Sequence, residues 1–316
     1  MSKINKKYQE LLHKIYYRGF EYEDPNRKGV IRKQIPYYNF EHDFEDGFSI
    51  IGLKQSYPKM AFNEMLAFMR GYANLKQLED LGVIFWRQDA YNYYLAGKYR
   101  NENPYEYESW FREVLINGSD NDGKITGDLG KIYSHQIRNW NGEIDQLNNV
   151  LERLRRELNS TKNIVTMWNP SDLDDCCLSP CHRSFEFLAE NLKNGEKGLR
   201  VKWEQSSVDT YLGLPMNILY YSFVCYVFAH YLGMKPLGII GNLSNVHLYD
   251  NSFSAIEKLL KFNPDDLEPI QIETKFTKEW FNLDDYLRQL DFAENIKIKY
   301  YKHLGRFDIP MLPYSK

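Results

Sequence analysis

The chain has 316 residues, of which 43% are hydrophobic and 26% are charged, and its formal net charge is -3. These values are typical of a soluble globular protein that is large enough to bury a substantial core. The small net charge gives no reason to expect general affinity for nucleic acid or for membrane surfaces.

The cysteines and histidines indicate neither a metal site nor a disulfide framework. The four cysteines, Cys176, Cys177, Cys181 and Cys225, fit no standard zinc spacing, and the seven histidines show no ligand spacing. The chain is also too large to need disulfide staples. We therefore expect no metal and a reducing cytoplasmic location. The charged, amphipathic segment 1–17 has no apolar signal core.

Hydrophobic periodicity predicts helices and strands that interleave along the chain. In chain order they are a helix over 8–16, a polar loop over 24–29, strands within 37–51, a helix over 61–71, a polar excursion over 91–126, a helix over 147–158, a strand over 163–168, a strand at Cys181, a short strand over 199–205 and a long buried helix after Pro215. The order shows no regular βαβ alternation, which favours a single α+β domain over 1–316. We interpret 91–126 as an insertion or flexible excursion within it.

The best candidate for a membrane span is the apolar segment 218–234. It is short for a span and contains His230 and several tyrosines. We therefore predict a buried helix at this position and no membrane role.

The stretch LSPCHRSFEF (178–187) places Cys181 between a proline and a histidine. An arbitrary cysteine at the start of a strand is usually a small core residue. The alternative is a nucleophile whose thiolate is favoured by nearby cations. The decapeptide by itself is compatible with both interpretations.

Several stretches in one order decide between them. They are GDLGKIYSHQIRNW, DQLNNVLERL, IVTMWNPSDLD, LSPCHRSFEF, SVDTYLGLPMNILYYSF and NVHLYDN. Together, over roughly 5–265, they resemble thymidylate synthase and its pyrimidine-hydroxymethylating relatives. The succession of PCH, DxxLGLPxN and HLY is the specific part. The resemblance implies a large mixed β-sheet flanked by helices, two such sheets back to back in a homodimer, and 5,10-methylenetetrahydrofolate as co-substrate.

The resemblance also implies the catalytic residues. Cys181 would attack C6 of a pyrimidine nucleotide, so that C5 becomes the nucleophile that takes the one-carbon unit. Glu64 matches the family's general acid/base, and a carboxylate among apolar neighbours can have a raised pKa. Tyr133 and His182 match residues beside the nucleophile.

Further residues match the family's binding sites. Asn217 would read the O4 and N3 edge of the base, and His247 and Tyr249 would hold the sugar. Gln205 and Ser207 flank a position that contacts the nucleotide and belong to the same predicted set.

Three residues match the folate-binding part of the family's site. Asp209 would bind the pterin ring, and Trp86 would line the folate pocket. Lys54 falls near the position used for the glutamate tail.

The predicted phosphate site departs from the family pattern. The family uses four arginines, two of them from the partner subunit. Arg27 keeps the first, but Thr161 and Lys162 occupy the positions of the partner-donated pair and Ser206 occupies the fourth. Arginine offers phosphate a planar bidentate fork, whereas lysine is a single charge and serine is neutral. Lys162 would reach the active site of the neighbouring subunit.

These departures favour hydroxymethylation of C5, with CMP as the expected substrate, because the Arg27 and Lys162 combination resembles relatives that act on CMP. The altered polar tail over 307–316 and Ser206 point to a wetter site, in which water captures the methylene. The alternatives are a thymidylate synthase converting dUMP to dTMP, a dUMP hydroxymethylase, and a non-catalytic homologue. Asn217 and Trp86 are the best evidence for the thymidylate synthase alternative, because the bulk of Trp86 would shield the methylene.

Overall fold

The computed structural model describes residues 2–25, 27–96, 105–119, 126–309 and 312. The described residues form an α+β fold, as the sequence predicts, in which helices flank a seven-stranded mixed sheet. A separate two-stranded sheet lies toward the C-terminus.

The main sheet has the strand order β1-β2-β7-β5-β4-β3, and β6 pairs with β7 outside this path. Pairing of β7 with β5 and with β6 is parallel, and the other pairs are antiparallel. The strands are β1 (Phe20–Glu23), β2 (Ile31–Asp43), β3 (Ile164–Thr166), β4 (His182–Asn191), β5 (Lys197–Gln205), β6 (Val208–Asp209) and β7 (Lys235–Tyr249), with β8 (Gln271–Thr274) and β9 (Ile296–Lys299) in the small sheet.

Helices pack against the sheet. They are α1 (Lys3–Arg18), α2 (Pro58–Met69), α3 (Leu75–Asp80), α4 (Arg87–Ala96), α5 (Tyr107–Asn117), α6 (Tyr133–Arg138), α7 (Gln146–Arg156), α8 (Gly213–Tyr231), α9 (Phe253–Leu259), α10 (Leu283–Arg288) and α11 (Phe292–Asn295). The predicted amphipathic helices correspond to α1 and α7. In α7 the Asp145 side chain accepts from Asn148 N and caps the first turn.

The long helix α8 is the centre of the core. Its residues are apolar on all sides, and it packs between α2 and the strands β5 and β7. The prediction of a buried helix is confirmed. No described helix is long and apolar enough to cross a membrane.

Two regions differ from the sequence-based expectation. The strand predicted within 37–51 ends at Asp43, where a short 3₁₀ turn, Phe44–Asp46, begins. The described parts of 91–126 include the end of α4 and all of α5, whose Trp110 is fully buried, while 97–104 and 120–125 lie outside the described residues. That this segment is an insertion stays a prediction.

Candidate active site

A cleft of about 1190 Å³ opens where α2, α4 and α8 meet the ends of β5, β6 and β7. It contains most of the residues that the sequence singles out: Arg27, Lys54, Glu64, Trp86, Tyr133, Cys181, His182, Gln205, Ser207, Asp209, Asn217, His247 and Tyr249. Two predicted site residues, Lys162 and Ser206, lie outside the described lining of the cleft.

Cys181 immediately precedes β4, and both of its backbone polar groups are bonded. Its N–H donates to the Tyr133 hydroxyl oxygen at 2.8 Å. Its carbonyl oxygen accepts from the Ser206 N–H at 2.8 Å and from the Ser206 hydroxyl at 3.0 Å. The residue that carries the thiol is thereby fixed on both sides.

Opposing charges act on the Cys181 thiol. Burial in the cleft wall raises its pKa, the positive charge of Arg27 lowers it, and the carboxylate of Asp89 raises it. At neutral pH the thiol form is therefore favoured. A further cation near the site would increase the thiolate fraction.

Glu64 projects from α2 and is bonded to Trp86. The indole N–H donates to Oε1 of Glu64 at 2.9 Å. Burial raises the pKa of Glu64, and this hydrogen bond opposes the shift. The indole packs edge-on against Phe68 and Tyr133, with ring centroids 5.6 and 6.2 Å away. Burial therefore favours the protonated form of this carboxyl group, which lies beside an aromatic wall.

His182 and Tyr133 are both neutral in this setting. Burial lowers the pKa of His182 to about 3. Its Nδ1 lies 2.8 Å from the hydroxyl of Tyr221 on α8, which orients the ring. Burial, followed by the proximity of Cys181, raises the pKa of Tyr133 well above its usual value. Both side chains act as fixed hydrogen-bonding groups and not as charges.

Three side chains form a hydrogen-bonded row at the end of β5. The Trp203 indole N–H donates to Oε1 of Gln205 at 3.2 Å. The Gln205 amide nitrogen donates to the Ser207 carbonyl at 2.9 Å and to Oδ1 of Asn217 at 3.1 Å. Asn217 belongs to the first turns of α8, so the row connects the sheet to the helix.

The predicted sugar-binding pair lies at the end of β7. Nδ1 of His247 is 2.7 Å from the Asn245 carbonyl oxygen, which can only accept, so Nδ1 carries the proton. Burial lowers the pKa of His247, so the neutral ring has an acceptor at Nε2. The Tyr249 hydroxyl accepts from Arg27 Nη1 at 2.8 Å, which leaves the hydroxyl proton available to a ligand.

The structure separates the predicted phosphate-binding residues. Arg27 lines the cleft, and its Nε donates to the Leu312 carbonyl at 3.2 Å. Lys162 is exposed in the loop after α7, where its carbonyl accepts from Arg153 at 2.5 Å. The Ser206 hydroxyl is directed to the Cys181 carbonyl. Within the described part of the chain, these three residues therefore do not form one phosphate site.

Two of the predicted folate-binding residues, Asp209 and Lys54, lie in the same cleft, where Asp209 pairs with His247 of β7. Oδ1 of Asp209 accepts from the backbone N–H of Tyr211 at 3.0 Å and of Leu212 at 3.1 Å, which fixes the carboxylate. Lys54 is buried with its Nζ 4.6 Å from the centroid of the Tyr211 ring. Burial lowers the pKa of Lys54 to about 8, opposed by the charge of Asp209. Lys54 thus lies deep beside Asp209, while Arg306 is exposed at the rim.

Sequence reasoning missed the contribution of α4. Gln88, Asp89 and Asn92 on this helix line the cleft. Burial raises the pKa of Asp89 to about 6, and Arg27 opposes the shift. The polar composition of the segment that forms α4 gave no clear apolar periodicity. The available signal was Asp89, an acidic residue close to Trp86 in the sequence.

Comparison with known proteins agrees with this geometry. A family model described as thymidylate synthase matches residues 6–312. The thymidylate synthase of Mycoplasma genitalium is 34% identical over 246 residues, which cover 77% of this chain and 81% of that protein. The thymidylate synthase of Malacoplasma penetrans is 30% identical over 300 residues, or 94% and 96% of the two chains, and that of Phytoplasma mali is 30% identical over 258 residues, or 79% and 85%.

Proposed function

The chain belongs to the thymidylate synthase family, and on this premise we propose that it methylates C5 of dUMP to form dTMP. Members of this family are one-carbon transferases that act on a pyrimidine nucleotide with methylenetetrahydrofolate as co-substrate. The names of the similar proteins fit this alternative better than hydroxymethylation of CMP, the substrate expected from the altered phosphate residues.

In the proposed reaction the Cys181 thiolate forms a bond to C6, and the electrons of the C5–C6 double bond move toward C5 and O4. Glu64 holds the proton that neutralises charge at O4, and Tyr133 offers its hydroxyl proton beside the nucleophile. Methylenetetrahydrofolate supplies the one-carbon unit and the hydride that reduces it. Loss of the C5 proton accompanies cleavage of the bond between the transferred carbon and the folate nitrogen. As the hydride reduces this carbon to methyl, Cys181 departs from C6 and the C5–C6 double bond is restored.

The observation that carries the choice of methylation is the position of Trp86. Its side chain is only 6% exposed and is bonded to the catalytic carboxyl group of Glu64. A bulky indole at this place excludes water from the reacting carbon, and a dry site favours hydride transfer over capture by water.

The remaining residues fit the two ligands. We assign the base edge to Asn217, the sugar to His247 and Tyr249, and the phosphate to Arg27. The fixed carboxylate of Asp209 can accept the N–H groups of a pterin, beside the apolar wall of the cleft.

We further propose that the protein works as a homodimer in which Lys162 serves the partner's cleft. Lys162 is exposed and lies outside the described lining of its own cleft. The outward face of the sheet carries a hydrogen-bonded polar row, Asn39, Asn242 and Glu204, next to Tyr37, which is 72% exposed. This face is the surface that we assign to back-to-back packing of two sheets.

Hydroxymethylation of CMP is the second candidate function. It is favoured by one observation on the predicted phosphate ligands. The Ser206 hydroxyl donates to the Cys181 carbonyl, and among these predicted ligands Arg27 is the one cation in the described lining of the cleft. Such a site could hold its nucleotide in a shifted position that makes room for a 2′-hydroxyl.

Product analysis distinguishes the two candidates. The protein is incubated with methylenetetrahydrofolate and one nucleotide at a time, namely dUMP, dCMP, UMP or CMP. The mass of each product is determined by mass spectrometry. A methyl gain on dUMP with formation of dihydrofolate supports the proposal. A hydroxymethyl gain on CMP with tetrahydrofolate rejects it in favour of the second candidate. Cys181→Ala abolishes either reaction. The control Cys225→Ala, which changes a buried residue of α8, retains the activity.

A further inference from the structure

Trp86 lies at the junction between a partly exposed loop and α4. The loop, 81–85, joins α3 to α4, and its residues Ile84 and Phe85 are exposed. The Trp86 carbonyl accepts from the Ala90 N–H at 2.9 Å, which ties Trp86 to the first turn of α4. The placement of the indole therefore depends on how that first turn is anchored.

Arg87, the first residue of α4, is anchored by an ion pair with α3. Its Nε donates to Oε1 of Glu79 at 2.7 Å, and its Nη2 donates to Oε2 at 2.6 Å. This bidentate geometry makes arginine–carboxylate pairs strong and directional. The Glu79 side chain is only 9% exposed, and both residues lie outside the described lining of the cleft. The pair thus fixes the beginning of α4 to α3.

An aromatic ring from α5 contacts the same guanidinium group. The Cζ of Arg87 lies 4.9 Å from the centroid of the Phe111 ring, a cation–π contact. Phe111 stacks on Tyr107 of its own helix, with centroids 5.8 Å apart and planes at 7°. The end of α5 is joined to the start of α3, where Asn74 Nδ2 donates to the Gly118 carbonyl at 3.2 Å. We call Glu79, Arg87 and Phe111 the Arg87 clamp.

The charge of Arg87 is unfavourable for α4 considered alone. The helix dipole disfavours a cation in the first turn and favours an acidic residue there. Asp89 is the acidic residue in the first turn of α4, but it lines the cleft. The carboxylate of Glu79 compensates Arg87 from α3 instead. The arginine is therefore explained by the clamp and not by the stability of α4.

We propose that Glu79 and Arg87 are positioning residues that hold Trp86 beside Glu64 and thereby set the share of methyl product. Trp86 and Arg87 are adjacent in the chain, so release of the Arg87 clamp frees the backbone that carries the indole. The proposal rests on the proposed function, in which this indole excludes water from the transferred carbon. It also assigns a role to α5, which lies within 91–126.

A displaced indole would admit water to the methylene carbon once that carbon has left the folate nitrogen. The water oxygen then bonds to the carbon and the water loses a proton, while Cys181 leaves C6 and the C5–C6 double bond is restored. The product is hydroxymethylated and the folate remains tetrahydrofolate. Hydride transfer gives methyl and dihydrofolate instead, so the two routes are distinguished by both products.

Fluorine NMR reports the surroundings of Trp86 without turnover. The full chain is labelled with 5-fluorotryptophan at its six tryptophans, and the Trp86 resonance is assigned by its loss in Trp86→Phe. Glu79→Gln cannot form the charged fork, so we expect this resonance to shift and broaden, while that of Trp203, buried in β5, stays in place. The control is Asp80→Asn, the same change of carboxylate to amide on α3, where the carboxylate pairs with Lys76.

The products formed from dUMP and methylenetetrahydrofolate are measured for the same variants. We expect the ratio of hydroxymethyl to methyl product to rise by about fivefold in Glu79→Gln, the effect of one lost hydrogen bond. Asp80→Asn keeps the parent ratio. Arg87→Lys retains the charge but loses the planar fork and its stacking surface, and it gives a smaller rise. Circular dichroism establishes that each variant is folded.

The outcomes separate the Arg87 clamp from the proposed function. An unchanged Trp86 resonance in folded Glu79→Gln and Arg87→Lys overturns the clamp even if the parent protein methylates dUMP. A moved resonance with an unchanged product ratio, or with a fall in kcat alone, overturns its role in product choice. A moved resonance in a protein that does not methylate dUMP supports the positioning of Trp86 and rejects the proposed function.

Discussion

The indole nitrogen of Trp86 lies 2.9 Å from Oε1 of Glu64, so the side chain that we propose to shield the cleft from water also bonds the carboxyl group that we propose to handle protons. In the proposed reaction, exclusion of water and proton transfer are therefore coupled through one contact. A substitution of Trp86 changes both, and the two effects have separate readouts.

The first prediction concerns Trp86→Phe. The hydrogen bond favours the ionised carboxylate and lowers the pKa of Glu64 against the larger effect of burial. Phenylalanine cannot donate, so the pKa of Glu64 rises further. We expect the limb of the kcat/KM profile that titrates with Glu64 to move to higher pH. The smaller ring also admits water, so part of the product becomes hydroxymethylated.

The profile and the product ratio are measured on the same preparation, with Trp110→Phe as the control. A profile that does not move would show that Glu64 is not the group that titrates.

The second prediction concerns Ser206, which the sequence assigns to the nucleotide and the structure connects to Cys181. Ser206→Ala removes the hydroxyl bond to the Cys181 carbonyl but keeps the backbone bond. We expect the free energy of unfolding to fall by about 1 kcal/mol. We also expect kcat to fall by about fivefold, by the same energy, with little change in the KM for the nucleotide.

Ser206→Thr retains a hydroxyl, and we expect its kcat to be close to that of the parent protein. The opposite pattern, a raised KM at unchanged kcat in Ser206→Ala, would mean that the hydroxyl contacts the phosphate.

The third prediction concerns Asp89, whose negative charge raises the pKa of Cys181. Asp89→Asn removes this charge, so the pKa of Cys181 falls and the thiolate fraction at pH 8 rises. We expect faster alkylation of Cys181 by iodoacetamide, followed by mass spectrometry of the peptide that contains it. The pKa of Asp89 is itself raised to about 6, so the parent and the variant converge below that pH.

The control is Asp80→Asn, which removes an exposed carboxylate paired with Lys76 on α3. It leaves the alkylation rate unchanged. Equal rates for Asp89→Asn and the parent at pH 8 would contradict the electrostatic role of Asp89.

Local patterns were sufficient to predict α1, α2, α7 and α8, because each has an apolar face or body that shows in consecutive residues. They did not predict β7, although its last residues form the HLY motif. This strand contains Gly238 and Gly241, which depress strand propensity. Gly241 is there because the Trp203 ring occupies the space of its side chain, and that reason depends on the neighbouring strand.

The same difference between local sequence patterns and contacts across the fold applies to the candidate site. Cys181 and Asn217 stand in motifs that can be found along the chain. The row from Trp203 through Gln205 to Asn217 joins a strand to a helix, and the charge of Asp89 reaches Cys181 across the cleft. Contacts between elements far apart in sequence have no local pattern, so they appeared only in the folded chain.

The last prediction concerns the proposed exchange of Lys162 between subunits. Arg27 lines the cleft of its own chain, whereas Lys162 is exposed outside it. If Lys162 completes the partner's phosphate site, Arg27→Ala and Lys162→Ala each raise the KM for the nucleotide, because each removes a charge-assisted contact of about 1.5–3 kcal/mol. In a mixed dimer of the two variants, one cleft lacks both cations and the other keeps both.

Dissociating and reassociating an equal mixture of the two variants should therefore restore a class of sites with the parent KM, at about a quarter of the total if the chains pair at random. The control is Arg27→Ala alone, dissociated and reassociated in the same way, which restores no sites with the parent KM. Recovery requires that the two residues act in one cleft but come from different chains. If the mixture only averages the two variants, Lys162 acts within its own chain or not at all, and the dimeric phosphate site is wrong.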